Sequence, residues 1–494
     1  MNNINKIRNF AFYNHKNIYS LTFQLSKIVL LGDFSFYNCE TLEKVIFKQS
    51  RYIELGQNCF SESEKLNSIQ VNTKKLILDK NCFKNCISLE SISFTKMEEF
   101  EAKDLVFDGC IKLKSIKINS KQISFSNKFI NNCMSLSLLE IESQNDIEIN
   151  NEIFSGCNSL KTVIVSTSST LKLRNKILNI SKIFQTMKIK GQSIDICDNF
   201  FTNISSLSSI TIDSKTSFSI KEGFFYGCPN LNDVKFVSDE NIEISNLCLN
   251  NSTKLQSISI EGKNVSIDYG FFNRCQSISS FTIIEKEKLN LDINEIKNCK
   301  NLEAIRIKFV FNETQDNFFK YELESDFFSG LNKLRDISIE GVDIVLKENC
   351  FNSSNISSIS IQNVRNAIIN PKSFVNCKKL RTVTIYAFNK IEISNNSFIG
   401  VESLDNCSLT FKELKIGNSA LINFSNIKLL FLYCKDNLNV YPNFFGGCKS
   451  IKNISFFTRS KIDLKENCFP VIENLESIKI EGDSIDIREN CFKN

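Results

Sequence analysis

Cysteine has the widest chemical reach of any residue type in this chain, because a thiolate can bind a metal, form a disulfide or act as a nucleophile. The 494 residues include 19 cysteines, and their spacing is regular. Pairs such as Cys82 and Cys86 have no second pair at the spacing of a zinc finger. We therefore expect buried free thiols that act as small hydrophobic residues. Ten follow a bulky apolar residue by three positions, and six directly precede one: Cys39, Cys86, Cys110, Cys133, Cys157, Cys228, Cys275, Cys299, Cys377 and Cys448, then Cys59, Cys82, Cys248, Cys350, Cys468 and Cys491.

Imidazole chemistry is confined to one residue, since His15 is the only histidine. It falls at a position that cysteine occupies elsewhere in the pattern, which predicts a structural role. The serine and threonine hydroxyls have no histidine or other base in register with them, so an activated nucleophile is not evident. The sequence predicts that the chain is not an enzyme and that it has no catalytic residues, no metal site and no cofactor.

These residues belong to a repeat that runs along the chain. Its template is Phe, then Cys three residues later, Leu at six, and Ile at nine and eleven, as in 83–94 and 374–385. The steps between leading residues are 23 or 24 residues, except for a step of 32 between Ile296 and Phe328. The leading residues are Phe12, Phe36, Phe60, Phe83, Phe107, Ile130, Phe154, Leu178, Phe201, Phe225, Leu249, Phe272, Ile296, Phe328, Phe351, Phe374, Phe398, Leu421, Phe445, Phe469 and Phe492.

Each repeat contains two stretches of alternating apolar and polar residues, such as Ile391 and Ile393, which is the pattern of a strand with one buried face. Apolar residues three and four apart predict a short helical or 3₁₀ turn between them. A unit of this length cannot bury its apolar face alone, so neighbouring units must stack. We predict a mainly β solenoid of about 20 repeats of 23–24 residues. Each repeat has two short strands and one such turn, in a single array over 1–494 with repeats from about 12 to 492.

The template Phe-x-x-Cys-x-x-Leu-x-x-Ile-x-Ile resembles the repeat of BspA-like, treponemal-type leucine-rich-repeat surface proteins, and the resemblance covers residues 12–492. It implies a leucine-rich-repeat solenoid. It also implies a non-enzymatic scaffold for protein binding and adhesion, as in surface antigens, whose partner is a protein or a host-surface ligand.

Two features of the sequence are candidate binding surfaces. The outward position of the first strand carries a row of hydroxyls that includes Ser209, Ser257 and Ser280, which is either a ligand-facing surface or a solvated strand face. The long step adds about eight residues, which we expect to form a loop insertion over 308–323. Its aromatic residues either contact a ligand or return to the core. They are Phe309, Phe311, Phe318, Phe319 and Tyr321.

In alternate repeats, the outward position of the second strand carries a carboxylate. We call these residues the acidic column. Three explanations are open: duplication of a two-repeat unit, avoidance of like charges on neighbouring strands, or a surface for a basic partner. The residues are Glu54, Glu101, Glu148, Asp195 and Glu243.

The remaining properties bear on partners and location. A net charge of +5 is too small for electrostatically driven nucleic-acid binding, and no apolar stretch approaches the length of a membrane span. The resemblance favours the cell surface, whereas the absence of a signal or anchor in this sequence leaves the cytoplasm open. The array has no polar capping unit at either end, which predicts end-to-end self-association or a longer gene product.

Two other functional classes stay open. One is an intracellular structural or assembly scaffold, which free thiols and the missing export signal favour. The other is a carbohydrate-active enzyme of the right-handed β-helix type, which would need charged groups clustered over adjacent coils. In this sequence the charges are spread along the array.

Overall fold

The structure is a computed structural model. It describes residues 4–24, 27–126, 128–175, 181–198, 200–245, 248–249, 252–268, 271–272, 276–290, 296, 298–310, 320–417, 420, 427–442, 444–445, 448, 451–469 and 472–492. The chain divides into two compact units, Met1–Leu255 and Gln256–Asn494. The described residues include no helix with the length and hydropathy required to cross a membrane.

The first unit consists of short parallel strands that recur once or twice in every coil. Within the described residues of this unit, Asn151–Phe154 form a 3₁₀ helix. The strands are β1 (Ile4–Ile7), β2 (Ser20–Phe23), β3 (Ile28–Leu31), β4 (Lys44–Leu55), β5 (Ser68–Leu78), β6 (Ser91–Ala102), β7 (Ser115–Phe125), β8 (Leu138–Ser143), β9 (Ile147–Ile149), β10 (Thr162–Thr167), β11 (Thr170–Leu173), β12 (Thr186–Gly191), β13 (Ser193–Ile196), β14 (Ser209–Ser214), β15 (Phe218–Ile220), β16 (Asp233–Ser238) and β17 (Asn241–Ile244).

The second unit repeats the same arrangement. In some coils the two strands are separate, and in others they join into one long strand that bends at the corner between them. The strands are β18 (Ser257–Ile267), β19 (Ser280–Asn290), β20 (Ala304–Phe309), β21 (Lys320–Leu323), β22 (Asp336–Glu340), β23 (Asp343–Leu346), β24 (Ser358–Ile369), β25 (Thr382–Ile393), β26 (Asn406–Phe411), β27 (Glu413–Ile416), β28 (Leu429–Cys434), β29 (Leu438–Val440), β30 (Asn453–Thr458), β31 (Lys461–Leu464), β32 (Ser477–Glu481) and β33 (Ser484–Ile487).

Equivalent strands of successive coils pair in parallel with the sequence repeat as their register. In the first unit, Val163 of β10 lies opposite Leu139 of β8 and Met187 of β12, each one repeat away. The first strands of the coils form what we call the first sheet, and the second strands form the second sheet. Side chains alternate along β10: Val163, Val165 and Thr167 are buried, and the residues between them are half-buried. This register confirms the predicted solenoid, because an inward-facing residue of one coil lies directly against its counterpart in the next.

The third side of each coil, which we call the turn side, is a run of overlapping turns. The Phe60 N–H donates to the Cys82 carbonyl of the next coil (2.9 Å), whereas the Ser61 N–H donates to Asn58, three residues back (3.2 Å). Backbone groups therefore alternate between closing a turn and linking two coils. Asparagine residues such as Asn376 (φ 57°) adopt the left-handed conformation that these turns require. The predicted short helical turn is thus a chain of tight turns in most described coils.

The leading phenylalanines form the centre of the core. The rings of Phe351, Phe374 and Phe398 stack with interplanar angles of 2° and 6° and centroid distances of 4.9 and 4.8 Å. These three residues are at most 1% exposed. The coil spacing of about 4.8 Å sets this distance, because identical residues in register must stack at the strand repeat.

The cysteines line the same core, as predicted for the ones that the structure describes. Eighteen are described, none of these eighteen forms a disulfide, and all of them except the half-buried Cys197 are buried. Cys275 lies outside the described residues. Several cysteines three positions after a leading residue donate the S–H to the carbonyl of the preceding leading residue, as Cys86 does to Phe60 (3.2 Å) and Cys110 does to Phe83 (3.1 Å). Burial raises the pKa of Cys110 to about 12, so its thiol stays protonated and able to donate.

Candidate binding surface

The outward face of the first sheet carries the predicted hydroxyl row. Of the predicted hydroxyl row, Ser257 and Ser280 are register neighbours on β18 and β19 of the second unit and are half-buried. Ser209 lies on the first unit, where its hydroxyl donates to Asp233 (3.4 Å) on the neighbouring strand. The structure brings together two of these three residues. Their role in ligand binding stays a prediction.

The predicted insertion is described only at its two ends. Phe309 ends β20 and is 5% exposed, with its ring 5.5 Å from that of Tyr321 on β21. These two aromatic residues pack on each other at the base of the insertion. Phe311, Phe318 and Phe319 lie outside the described residues, so a ligand contact by the loop stays a prediction.

A buried carboxyl group lies beside this aromatic pair. Glu285 pairs in register with Gly262 and Phe309 at the corner between the two sheets, and it is 1% exposed. Its Oε1 accepts from the Val265 N–H (3.1 Å), and its Oε2 has no hydrogen-bond partner among the described residues. Burial raises the pKa of the Glu285 carboxyl to about 7. Burial, with a smaller contribution from Glu285, also raises the pKa of the Tyr321 phenol.

A different part of the second unit carries a cluster of aromatic side chains on the outward face of the first sheet. We call it the aromatic patch. Tyr433 on β28 lies in register with Phe457 on β30, and their ring centroids are 5.1 Å apart. On β25, the ring of Phe388 meets that of Tyr386 edge-on at 5.2 Å and is 44% exposed. The members of the patch are Tyr386, Phe388, Leu429, Phe431, Tyr433 and Phe457.

Lys435 contacts the part of the patch that lies on β25. It directly follows β28, where its backbone N–H donates to Phe411 (2.7 Å). Its Nζ lies 4.7 Å from the ring centroid of Tyr386 and 4.5 Å from that of Phe388, and it donates to the Tyr386 hydroxyl (3.2 Å). The ammonium group is held against two aromatic faces by cation–π attraction of about 0.5–1 kcal/mol each at an exposed site. These contacts restrict the rings of Tyr386 and Phe388 before any ligand binds.

The patch can bury apolar area against a partner at small entropic cost, because aromatic rings have few torsions and the rings already contact one another in two pairs, Tyr386 with Phe388 and Tyr433 with Phe457. Small hydroxyl residues surround them: Thr410 lies between Tyr386 and Tyr433 in the register, and Phe431 lies between Ser408 and Ser455. Aromatic residues with a polar rim are the typical composition of an interface hot spot. This arrangement favours binding rather than bond-making chemistry.

The sequence reasoning above did not identify this patch, although a signal for it exists. Outward positions of the first strand are usually Ser, Thr, Lys or Glu, and Phe431, Tyr433 and Phe457 depart from that composition. The alternation of β28 places Leu430, Leu432 and Cys434 inward, so the aromatic residues between them must face out. A comparison of the residues at each outward position across successive repeats identifies them.

The acidic column of the second sheet has partners within the protein. Glu54 accepts from the Tyr52 hydroxyl (2.5 Å), and Asp195 forms an ion pair with Arg174 (2.7 Å). Lys172 lies in register between Glu148 and Asp195. Asp195 is therefore partly neutralised by Arg174, and Lys172 separates it from Glu148, which fits an arrangement that avoids like charges on adjacent strands.

Two other kinds of reactive group are metal-binding clusters and the single histidine, His15. In the described part of the chain, no cluster of three or more His, Cys, Asp or Glu residues is arranged to hold a metal ion. His15 accepts the backbone N–H of Asn17 through Nδ1 (3.2 Å), which is a local turn contact.

The chain matches a known repeat family along almost its whole length. The family is described as "BspA type Leucine rich repeat region (6 copies)", and the matched residues are 5–137, 101–204, 194–325, 321–428 and 368–494. No curated protein matches the chain.

Several solved structures are similar at low sequence identity. Toll in the Toll–Spätzle complex of Drosophila is 12% identical, with 85% of this chain and 57% of that chain covered and a TM-score of 0.48. An internalin (inlF) from Listeria monocytogenes is 14% identical, with 77% and 82% covered and a TM-score of 0.34. TLR13 in its complex with ssRNA13 is 12% identical, with 92% and 86% covered and a TM-score of 0.33. The fold assignment rests on the family match and on the strand register.

Proposed function

This chain belongs to the BspA-type leucine-rich-repeat family, and from this membership and its surface we propose that it is a non-enzymatic scaffold that binds a protein through the aromatic patch. The observation that carries the proposal is the patch itself. Lys435 holds Tyr386 and Phe388, and the rings of Tyr433 and Phe457 contact each other on strands whose backbone pairs on both sides of β28. Rigid rings presented in this way lose little freedom on binding.

The size of the patch suits a central hot spot. It spans the coils from β25 to β30, or roughly 15 Å at the strand spacing of about 4.8 Å. A hot-spot aromatic residue contributes about 2 kcal/mol or more, which corresponds to roughly thirtyfold in Kd. Two such residues would carry much of the affinity of an interface of ordinary size, with the surrounding hydroxyls as its rim.

As the finer part of the proposal, the partner is a protein displayed on another cell or host surface, so that the scaffold acts in adhesion. Membership in this repeat family supports that reading. Fluorescent labelling of the chain on intact cells tests it. Exclusion of an antibody from intact cells, with staining after permeabilisation, would instead favour the intracellular assembly scaffold, which the buried free thiols also fit.

The patch is tested by capture of surface proteins on the immobilised full chain. Phe431→Ser and Tyr433→Thr each install the residue type found at the same position in a neighbouring coil, namely Ser408 and Thr410, so the fold should tolerate them. We expect the two changes together to abolish capture of the proteins that the wild type retains.

The matched control is Tyr441→Ser. Tyr441 is 59% exposed in the same unit but lies outside the patch, so its replacement should leave capture unchanged. Equal capture by wild type and the patch variant, with melting temperatures unchanged, would refute binding through this surface. Equal losses in the patch and control variants would also count against it.

A further inference from the structure

A basic notch lies at the start of three first-sheet strands in the second unit. It is a cavity of about 360 Å³ lined by Asn332, Lys333, Arg335, Asn355, Ser357, Lys379, Arg381 and Ser403. Four of these side chains are cationic and none is acidic. Arg335 and Arg381 each directly precede a strand, and Ser357 precedes the strand between them.

The notch exists because the middle coil lines it with the short side chains of Asn355 and Ser357. The Ser357 hydroxyl donates to the Arg335 carbonyl (3.2 Å), and the Asn355 amide donates to the Asn332 carbonyl (2.8 Å). The polar groups of the middle coil are therefore satisfied by the coil before it. This leaves a gap between the two arginines, which are two coils or about 10 Å apart.

The cations that face this gap are largely uncompensated. Among the described residues, no carboxylate forms an ion pair with Arg335 or Lys379, and Lys333 donates to the neutral amide of Asn301 (2.6 Å). Arg381 lies 4.0 Å from Asp405, whose carboxylate is also contacted by Lys428 at 2.9 Å. A ligand carboxylate between the arginines would thus add charge-assisted hydrogen bonds without displacing a strong internal pair.

The charges next to the notch limit what can bind there. The residues preceding successive first strands are Glu303, Arg335, Ser357, Arg381 and Asp405, so an acid flanks the arginine pair on each side. A long polyanion running along the array would meet both acids. A ligand with only two or three negative charges would meet the cations alone. Arginine also pairs bidentately with carboxylates.

We propose that the basic notch binds a short acidic segment of a protein, with two carboxylates about 7–10 Å apart in an extended chain. The proposal rests on the proposed function only in taking the ligand to be a protein. The notch and the aromatic patch belong to the same unit, and Thr382–Ile393 (β25) begins next to Arg381 and carries Tyr386. One partner could therefore reach both.

The test measures binding of a labelled oligoglutamate peptide to the full chain by fluorescence anisotropy, at about 0.15 M salt. We expect Arg335→Gln with Arg381→Gln to weaken binding at least about tenfold, because both arginine–carboxylate contacts are lost. Ser357→Glu places a carboxylate in the gap and should weaken binding to a similar extent. Circular dichroism of each variant establishes that the fold is retained.

The first unit offers a matched control. Lys114 and Lys161 flank Ser137 in the same positions, and the Ser137 hydroxyl donates to the Lys114 carbonyl (3.1 Å). Here Lys114 is already paired with Glu90 (3.0 Å). Lys114→Gln with Lys161→Gln removes the same charge and should change binding by less than about twofold. An equal loss in this variant would show general electrostatic attraction and overturn the proposal.

Two further measurements distinguish an acidic peptide from other anions, and distinguish failure of the notch proposal from failure of the patch proposal. Binding of a sulfated polysaccharide or inorganic phosphate, but not of oligoglutamate, would overturn the choice of an acidic peptide. Phe431→Ser combined with Tyr433→Thr should leave oligoglutamate binding intact. If this variant also keeps full partner capture, the proposed function fails while the notch stands; if oligoglutamate never binds, the notch fails while the patch stands.

Discussion

Replacement of Glu285 by glutamine should remove a loss of stability that the wild-type chain undergoes as pH rises through neutrality. The carboxyl is buried at the corner of the two sheets, where Gly262 and Phe309 are its register neighbours. Burial disfavours the charged form and raises its pKa to about 7, and the hydrogen bond from the Val265 N–H offsets only part of that effect. The protonated form is therefore the one that the folded state favours.

The magnitude follows from linkage between protonation and folding. In the unfolded chain the carboxyl titrates near its ordinary value of 4.5, so the unfolded state releases its proton first as pH rises. Stability falls from that point and the loss levels off above pH 7 or so, at about 3 kcal/mol in total. Between pH 5.5 and pH 8 the fall is about 2 kcal/mol.

Hydrogen exchange at the Val265 amide is the local probe of this effect. After correction for the intrinsic exchange rate, wild-type protection should fall roughly thirtyfold between pH 5.5 and pH 8. In Glu285→Gln it should stay constant. Glu261→Gln changes a half-buried carboxylate on the neighbouring outward face and should keep the wild-type dependence. Constant wild-type protection, or an undiminished fall in Glu285→Gln, would refute the reasoning.

Three further predictions concern the coil itself. Gly400→Ala should cost about 1–3 kcal/mol of unfolding free energy more than Gly223→Ala, measured by urea titration: both glycines have positive φ (75° and 70°), but the Asn376 carboxamide occupies the space of a Cβ only at Gly400. Phe374→Ala should cost about 3–5 kcal/mol in the same assay, since it empties the middle of a three-ring stack. Among the described cysteines, Cys197 should react first with a thiol reagent in the native protein, as followed by peptide mass spectrometry, because the others are buried.

Most of the fold could be predicted because the repeat length determines which residues of successive coils lie in register. A step of 23 or 24 residues between phenylalanines leaves one way to stack the coils, with Phe351 on Phe374 on Phe398. A slip of one residue would turn each inward side chain outward. The inward columns are therefore predictable from composition alone.

The turn side was harder to predict because two backbone arrangements share one apolar spacing. Apolar residues three and four apart fit a helical turn as well as a run of tight turns. The asparagines decide between them, since Asn85 (φ 55°) and Asn376 (φ 57°) adopt a left-handed conformation that ends a helix. Their position one residue before the cysteine was the available signal.

The binding surface could be predicted only in part, because outward positions are not constrained by the core. A hydroxyl row and an aromatic insertion were expected from the sequence, and Phe309 of the insertion is buried against Tyr321. The basic notch depends on the small size of Ser357 between two arginines. Such a gap requires knowledge of which coil lies next to which.

In a solenoid, the residue type that recurs at equivalent positions of successive coils is the one that the fold requires. A residue that differs from this type is therefore a candidate for a role in function. Thr410 shows that the fold is satisfied by a small hydroxyl residue at the position where its register neighbours are Tyr386 and Tyr433. The rings are therefore additions that the core does not demand. Changing Tyr433 to the residue of its neighbour separates binding from folding, since it returns the coil to a state that the same array already contains.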